Sequence, residues 1–241
     1  MDPPPLPEYL SCQQVRNVDR FAIEHLEIPG LILMENAARA CVDLLQRQSI
    51  ERAVTIVCGR GNNGGDGLAM ARHLLVRSVP CKVLLVGSPD SLSADARVNL
   101  DILNRIRPQT IERFPAEGFT GDLFQVEGSE SDWLVDALLG TGMRGPVREP
   151  LATVIDAMNA AKKKILAVDI PSGLCGDTGK PRGTTVRATH TATLVCQKTG
   201  FRDRAAQSFL GKVTVLDIGI PKQVVQRSLK HEFGNDRFNG V

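Results

Sequence analysis

Nine consecutive residues, Gly59-Arg60-Gly61-Asn62-Asn63-Gly64-Gly65-Asp66-Gly67, place five glycines and two amides between an apolar run ending at Cys58 and a stretch with helical spacing. That is where an open α/β sheet turns from a strand into a helix, and the free N–H groups of such a turn face an anion. Glycines let the backbone come close to a phosphate. An anion-binding turn is the chemical reading, and a tight turn without a ligand is the alternative. The first six residues also satisfy the G-x-G-x-x-G dinucleotide fingerprint, which needs an acidic residue at the end of the second strand to hold a ribose. Here that run ends Leu85-Val86-Gly87-Ser88, and Asp90 comes only after Pro89. Asn62-Asn63 and Gly65-Asp66-Gly67 are also surplus to the fingerprint. The four histidines, His25, His73, His190 and His231, have no spacing that suggests a metal site or a catalytic triad, and the six cysteines include no C-x-x-C pair.

The elements that must carry this turn follow from the apolar pattern. Short apolar runs at residues 54–58, 82–86, 133–138, 165–170, 191–196 and 213–217, with a weaker one at 110–114, read as buried parallel strands. Helical spacing fills 66–77, 94–106 and 151–162 between them, giving the β-α-β rhythm of a covered parallel sheet. Before the first strand, Ser11-Cys12-Gln13-Gln14 has the form of a capping box, and helical spacing over 11–26 and 31–46 is broken at Pro29-Gly30. The expected architecture is a three-layer Rossmann-like α/β sandwich with a mostly parallel central sheet and an N-terminal helical hairpin. Residues 1–241 form one domain, with the proline-rich residues 1–10 a loose arm. Lys162-Lys163-Lys164 is expected at a helix C-terminus, where cations meet the helix dipole.

Composition narrows the partners. With 42% hydrophobic residues there is material for one large core, and 29 basic against 27 acidic residues leave a net charge of +2. That is too little excess to argue for nucleic acid or an anionic membrane, so a small molecule is favoured. No apolar run reaches the roughly 20 residues of a bilayer span, and the first residues lack the pattern of a signal peptide. A cytoplasmic, reducing setting is expected.

The run G-x-G-N-N-G-G-D-G, followed by Val135-Asp136-Ala137-Leu138-Leu139-Gly140-Thr141-Gly142 and then by Val168-Asp169-Ile170-Pro171-Ser172-Gly173, resembles the NAD(P)H-hydrate epimerases. Met34-Glu35-Asn36-Ala37 and the late segment from Gly211-Lys212-Val213 to Asp217-Ile218-Gly219-Ile220-Pro221 fit as well, so the resemblance covers nearly the whole chain. It implies an isomerase that interconverts the two epimers of hydrated NADH and NADPH at C6 of the nicotinamide ring. It further implies substrate contacts at Asn62, Asn63, Gly64, Gly65 and Asp66, at Gly140, Thr141, Gly142, Met143, Arg144, Gly145 and Pro146, and at Asp169. A potassium ion is implied at Asn63, Asp136 and Ser172, a homodimer formed with help from the hairpin, and a separate NAD(P)H-hydrate dehydratase acting on the product, expected from another polypeptide.

Residue by residue, Asp66 reads equally as a ligand contact or as a first-turn carboxylate meeting the helix dipole. Arg144 is either paired with a phosphate or free in solvent. Met143 stands where some relatives have an aromatic residue. Asp169, ending a strongly apolar strand, is the expected catalytic carboxylate, with a turn-capping Asp as the alternative. Two other functions stay open at this point: an NAD(P)-dependent oxidoreductase and a non-catalytic binding or scaffold domain of the same fold.

Overall fold

The computed structural model describes residues 7–114 and 131–230. In chain order the strands are β1 (Tyr9–Leu10), β2 (Ala53–Cys58), β3 (Cys81–Val86), β4 (Ile111–Phe114), β5 (Ser131–Ala137), β6 (Lys164–Val168), β7 (His190–Leu194), β8 (Gln197–Lys198) and β9 (Lys212–Leu216). The helices are α1 (Cys12–His25), α2 (Gly30–Gln46), α3 (Asn62–Val76), α4 (Ala94–Ile106), α5 (Leu151–Ala160), α6 (Gln207–Leu210) and α7 (Lys222–Lys230). Seven strands form one sheet in the order β4-β3-β2-β5-β6-β7-β9, every neighbouring pair parallel.

Alternate residues of the strands feed two cores. Val54, Ile56, Cys58, Val135, Ala137, Leu166 and Val168 meet α2, α3 and α4 on one face. Val57, Leu84, Val86, Leu134 and Ile165 meet α5 on the other. A period of two with both faces covered is what makes these strands read as continuous apolar runs. Burial of such side chains is worth about 1.5–3 kcal/mol each, which is why this layering wins over any exposed alternative.

The chain leaves β2 toward β3 and β4, then crosses back so that β5, β6, β7 and β9 extend the other edge. The order therefore reverses between β2 and β5, and the crevice at their carboxyl ends is where such sheets bind ligands. The turn after β2, the loop after β5 and the residues after β6 all open there.

The N-terminal hairpin is present and its capping box forms: Ser11 Oγ accepts from Gln14 N at 3.1 Å and Gln14 Oε1 accepts from Ser11 N at 2.8 Å. Helix α2 lies against α3, where Glu35 pairs with Arg72 and, at 2.9 Å, with His73 Nε2. Asn36 Nδ2 donates to Ile218 O at 3.0 Å, tying the hairpin to the segment after β9.

Several expected boundaries move. The loose arm is shorter than residues 1–10, because Tyr9 and Leu10 pair in parallel with Gln197 and Lys198; residues 1–6 lie outside the described part. Helix α3 begins at Asn62 rather than 66, since Gly61 is an extended N-cap and Gly65 N donates to Gly61 O at 3.1 Å. Asn62 to Gly65 are therefore first-turn helical residues, and Asp66 follows in the second turn, so it is not the first-turn carboxylate that one reading of the sequence expected. Lys163 and Lys164 do not sit at the end of α5: Lys163 Nζ donates to Ser131 O at 2.6 Å, and Lys164 opens β6 with its ammonium 5.5 Å from the Trp133 ring. The expected strands 165–170 and 191–196 stop at Val168 and Leu194 because Asp169 and Val195 take positive φ, 66° each.

Candidate active site

The floor of the crevice is close packing. Gly59 N donates to Ala137 O at 2.9 Å, joining the ends of β2 and β5. A side chain at Gly59 would strike Leu138 O, and one at Gly64 would strike Gly59 O. Gly61 and Gly142 have nothing within 4 Å of where a Cβ would stand, so their faces are open to an approaching ligand. The turn thus uses some glycines for fit and leaves others bare.

Asn62 is exposed and Asn63 is buried. Asn63 packs its Cβ and Cγ 3.5 Å from the Cβ position of Gly140, and its Nδ2, buried, has no hydrogen-bond partner. An unpaired buried amide in a native fold calls for an explanation, and a ligand is one. Asp66 is buried as well. Burial, then the charges of Asp169 and Asp19, push its carboxyl well above the usual range.

After β5, Asp136 is fully buried and accepts from Ser172 N at 2.7 Å, from Ser172 Oγ at 2.6 Å and from Leu138 N at 3.2 Å. Burial raises this carboxyl to about 6 against the lowering pull of those three donors. Ser172 Oγ also accepts from Leu139 N at 2.9 Å. Asp136, Ser172, Leu139 and, through Gly140, Asn63 therefore form one continuous group of oxygen-bearing side chains and backbone at the switch point.

The loop from Gly140 to Pro146 is held from two sides. Arg16 of α1 donates to Thr141 O at 2.6 Å, and Arg182 donates to Met143 O at 3.3 Å. Together with Cys12, Ile170, Cys175 and Asp177 they line an open cleft of about 280 Å³. Arg144 lies in its wall with an exposed side chain, and Gly145 and Pro146 are exposed as well. The cleft borders Ile170 but does not extend to Asn62–Asp66 or to Asp169, so it is one wall of the region. Arg16 was invisible as a site residue in the sequence, where it is one of several polar positions on an amphipathic helix.

Asp169 N donates to Ala192 O at 2.8 Å, and Ile170 N closes a three-residue turn on Val168 O at 2.8 Å. The neighbouring Leu194-Val195-Cys196 makes the same turn, with Cys196 N on Leu194 O at 2.7 Å. A β-branched residue at φ 66° is a backbone outlier that its surroundings must hold in place. These paired turns bring Lys198 Nζ to 2.5 Å from Asp169 Oδ1, with Lys198 fully buried and Asp169 nearly so. From α1, Asp19 joins the group; burial, then the charge of Asp169, raise its carboxyl to about 7, with Lys198 opposing. Neither Lys198 nor Asp19 was expected. The available signal for Lys198 was a lysine two residues beyond a strand end in an apolar stretch.

The oxidoreductase alternative loses its ribose partner. Ser88 caps a short turn by accepting from Asp90 N at 3.2 Å, and Asp90 projects into solvent and pairs with Arg97 at 3.1 Å.

Residues 30–200 match the family model described as the YjeF-related protein N-terminus. The chain is 37% identical over 226 residues to a protein named NAD(P)H-hydrate epimerase from Rhodopirellula baltica, covering 90% of this chain and 87% of that one. It is 41% identical over 214 residues to a protein of the same name from Pirellula staleyi, covering 88% and 92%. A bifunctional NAD(P)H-hydrate repair enzyme, Nnr, from Salinibacter ruber is 36% identical over 238 residues, which are 92% of this chain and 42% of that protein. Among solved structures, the crystal structure of yeast YNL200c superposes with a TM-score of 0.75 at 21% identity, covering 96% of this chain and 97% of that one.

Proposed function

The chain belongs to the family of the YjeF-related protein N-terminus and its NAD(P)H-hydrate epimerases, and on that premise we propose how its crevice performs the reaction. It is an isomerase that interconverts the R and S forms of hydrated NADH and NADPH. In these substrates water has added across a double bond of the reduced nicotinamide ring, leaving a hydroxyl on C6 beside the ring nitrogen. When the C6–O bond breaks, the nitrogen lone pair forms a planar iminium, and planarity erases the configuration. Water returning on the other face gives the epimer.

The observation that carries the assignment of roles is the convergence of the three motifs at one switch point, after β2, β5 and β6. The helix that starts at Asn62 offers its N-terminal N–H groups and the two amides to the anionic part of the dinucleotide. The bare glycines Gly61 and Gly142 allow backbone approach from both sides. The Gly140–Pro146 loop supplies the second wall, with Arg144 in reach of a phosphate. Asp169 moves the proton, to the departing hydroxyl and back from the returning water.

Asn63, Asp136 and Ser172 suit potassium: each carries a side-chain oxygen, all three are buried, and one carboxylate supplies the charge. A bound ion there would supply a positive charge that neutralises Asp136 and ties the loops after β2, β5 and β6 together. Six free cysteines fit a reducing, cytoplasmic setting. Among the described residues no helix is long and apolar enough to cross a membrane. Ile23 and Ile32, exposed on the hairpin, favour a homodimer through that face. A dehydratase consumes the product.

The test follows the hydrate epimer that a purified dehydratase cannot use, in the presence of that dehydratase and this protein. Its consumption should accelerate over the spontaneous rate in proportion to added protein, and no acceleration would refute the activity.

A further inference from the structure

Lys198 is the only lysine or arginine among the described residues whose side chain is closed off from solvent. Its ammonium faces four acceptors: Asp169 Oδ1 at 2.5 Å, Thr193 Oγ1 at 2.8 Å, Leu194 O at 2.9 Å and Cys196 O at 3.2 Å. Burying an ion pair is weak as a source of stability, and apolar replacements of equal volume are often better. Two strained turns, at Asp169 and Val195, are nevertheless maintained to make this one contact. Strain of that kind gathers where function requires a geometry.

The reaction gives the contact a purpose. Departure of hydroxide from C6 needs a proton, yet a carboxylate held against an ammonium has none of its own to give. We propose that Lys198 is a positioning residue of the epimerisation, fixing Asp169 and sharing with it the proton that the reaction moves. As the C6–O bond breaks, its electron pair leaves with oxygen and the ring nitrogen lone pair forms the C=N bond. Asp169 passes a proton to that oxygen, making water, and draws one from Lys198 Nζ, which becomes a neutral amine. Water adding to the opposite face gives its proton to Asp169 and so back to Lys198. Nothing is oxidised or reduced. The inference rests on Asp169 being the proton-handling carboxylate.

The groups facing the pair are Cys12 and Asp19 from α1, Cys41 from α2, Asp66 from α3 and Cys196 before β8. Burial keeps the thiols protonated.

Lys198→Gln tests the idea, because Gln keeps a donor toward Asp169 without a proton to surrender. At pH 8 its epimerisation, net of the spontaneous rate, should fall about 10²- to 10⁴-fold. Its affinity for NADP, measured by calorimetry, should stay near the parent's, so that the loss falls on turnover and not on binding. A parental rate, or a loss matched by an equal fall in NADP affinity, overturns the inference. In an Asp169→Asn background Lys198→Gln should add no further loss, whereas multiplied losses would show an independent, structural role. Should Lys198→Gln fail to fold, Lys198→Arg keeps the charge and withholds the proton: a folded, inactive protein supports the relay and a parental rate refutes it. The two claims separate cleanly. A parental rate in Asp169→Asn sinks the carboxylate assignment itself, while an impaired Asp169→Asn beside an unimpaired Lys198→Gln sinks only the role of Lys198.

Discussion

Asp169→Asn removes one charge from the enclosed pair and changes little else. Asn has nearly the same volume, and it is among the few residues that tolerate the φ of 66° found there. The backbone cost is therefore small. What remains is an ammonium in a dry pocket facing a neutral amide, and removing one partner of a buried ion pair costs about 3–5 kcal/mol. Three other acceptors, Thr193 Oγ1, Leu194 O and Cys196 O, still face Lys198, so the lower end, about 3 kcal/mol, is expected. For a domain of this size 1 kcal/mol corresponds to about 2–4 °C, which places the melting temperature roughly 6–12 °C below the parent. Asp169→Ala should melt lower still, by about 1–2 kcal/mol more, because alanine is strained at positive φ and accepts nothing. Epimerisation in Asp169→Asn should fall about 10²- to 10⁴-fold at a temperature where both proteins are folded. Thermal melts by circular dichroism and the dehydratase-coupled assay give the two readouts independently. A lowered melting temperature with a parental rate would make Asp169 a structural residue. Unchanged values of both would mean that the ion pair itself is misassigned.

Four further outcomes follow from the same geometry. Gly61→Ala and Gly142→Ala have open space for a methyl group and should fold with melting temperatures near the parent's, yet weaken NADP binding measured by calorimetry; parental affinity would show that no ligand approaches there. Gly64→Ala, aimed at Gly59 O, should instead fail to fold or melt far lower. Potassium should raise the melting temperature with concentration more than sodium does, with the difference lost in Asp136→Ala; identical curves for both ions would remove the cation site. Asp19→Asn should stabilise the protein at pH 8 and do nothing below pH 4. Its carboxyl titrates near 7 when folded and near 3.8 when unfolded, so the folded state binds the extra proton and loses stability as pH rises from about 4 to 7. A rise from 3.8 to about 7 corresponds to ~4 kcal/mol, and partial exposure of Asp19 reduces the expected gain to about 1–2 kcal/mol. A destabilised Asp19→Asn at pH 8 would show that its charge is used.

The sheet was legible because both of its faces are covered, which leaves apolar runs that a period of two or a bare run identifies equally well. The site was legible where one motif sits at one strand end, as with Asn62–Asp66 or Asp136. What escaped were contacts made between segments distant in sequence. Arg16 reaches Thr141 across 125 positions, and its own helix gives no sign of it. Lys198 lies beyond the boundary placed at Cys196, and only the left-handed turn at Val195 returns it to the crevice. Propensity cannot announce a valine at positive φ, since valine is the residue least suited to it. Tyr9 and Leu10 escaped for the same reason: the two-residue pairing with Gln197 and Lys198 has no local pattern long enough to read.

That last pairing also bears on how the site is held. Leu10 lies in register with Lys198, Cys196 Sγ donates to Pro7 O at 2.9 Å, and Asp177 Oδ1 accepts from Cys12 N at 2.7 Å, fastening the start of α1 to the segment after Asp169. The N-terminal segment thus covers the backbone on which the strained turns depend, and helix α1, anchored by it, presents Cys12, Arg16 and Asp19 from one face. An enclosed ammonium needs every surrounding acceptor in place, because each one lost leaves part of a charge unsolvated in a medium that screens poorly. The hairpin is therefore a wall of the candidate site as well as a cover for the sheet, with Cys12 and Arg16 lining the cleft beside the Gly140–Gly145 loop.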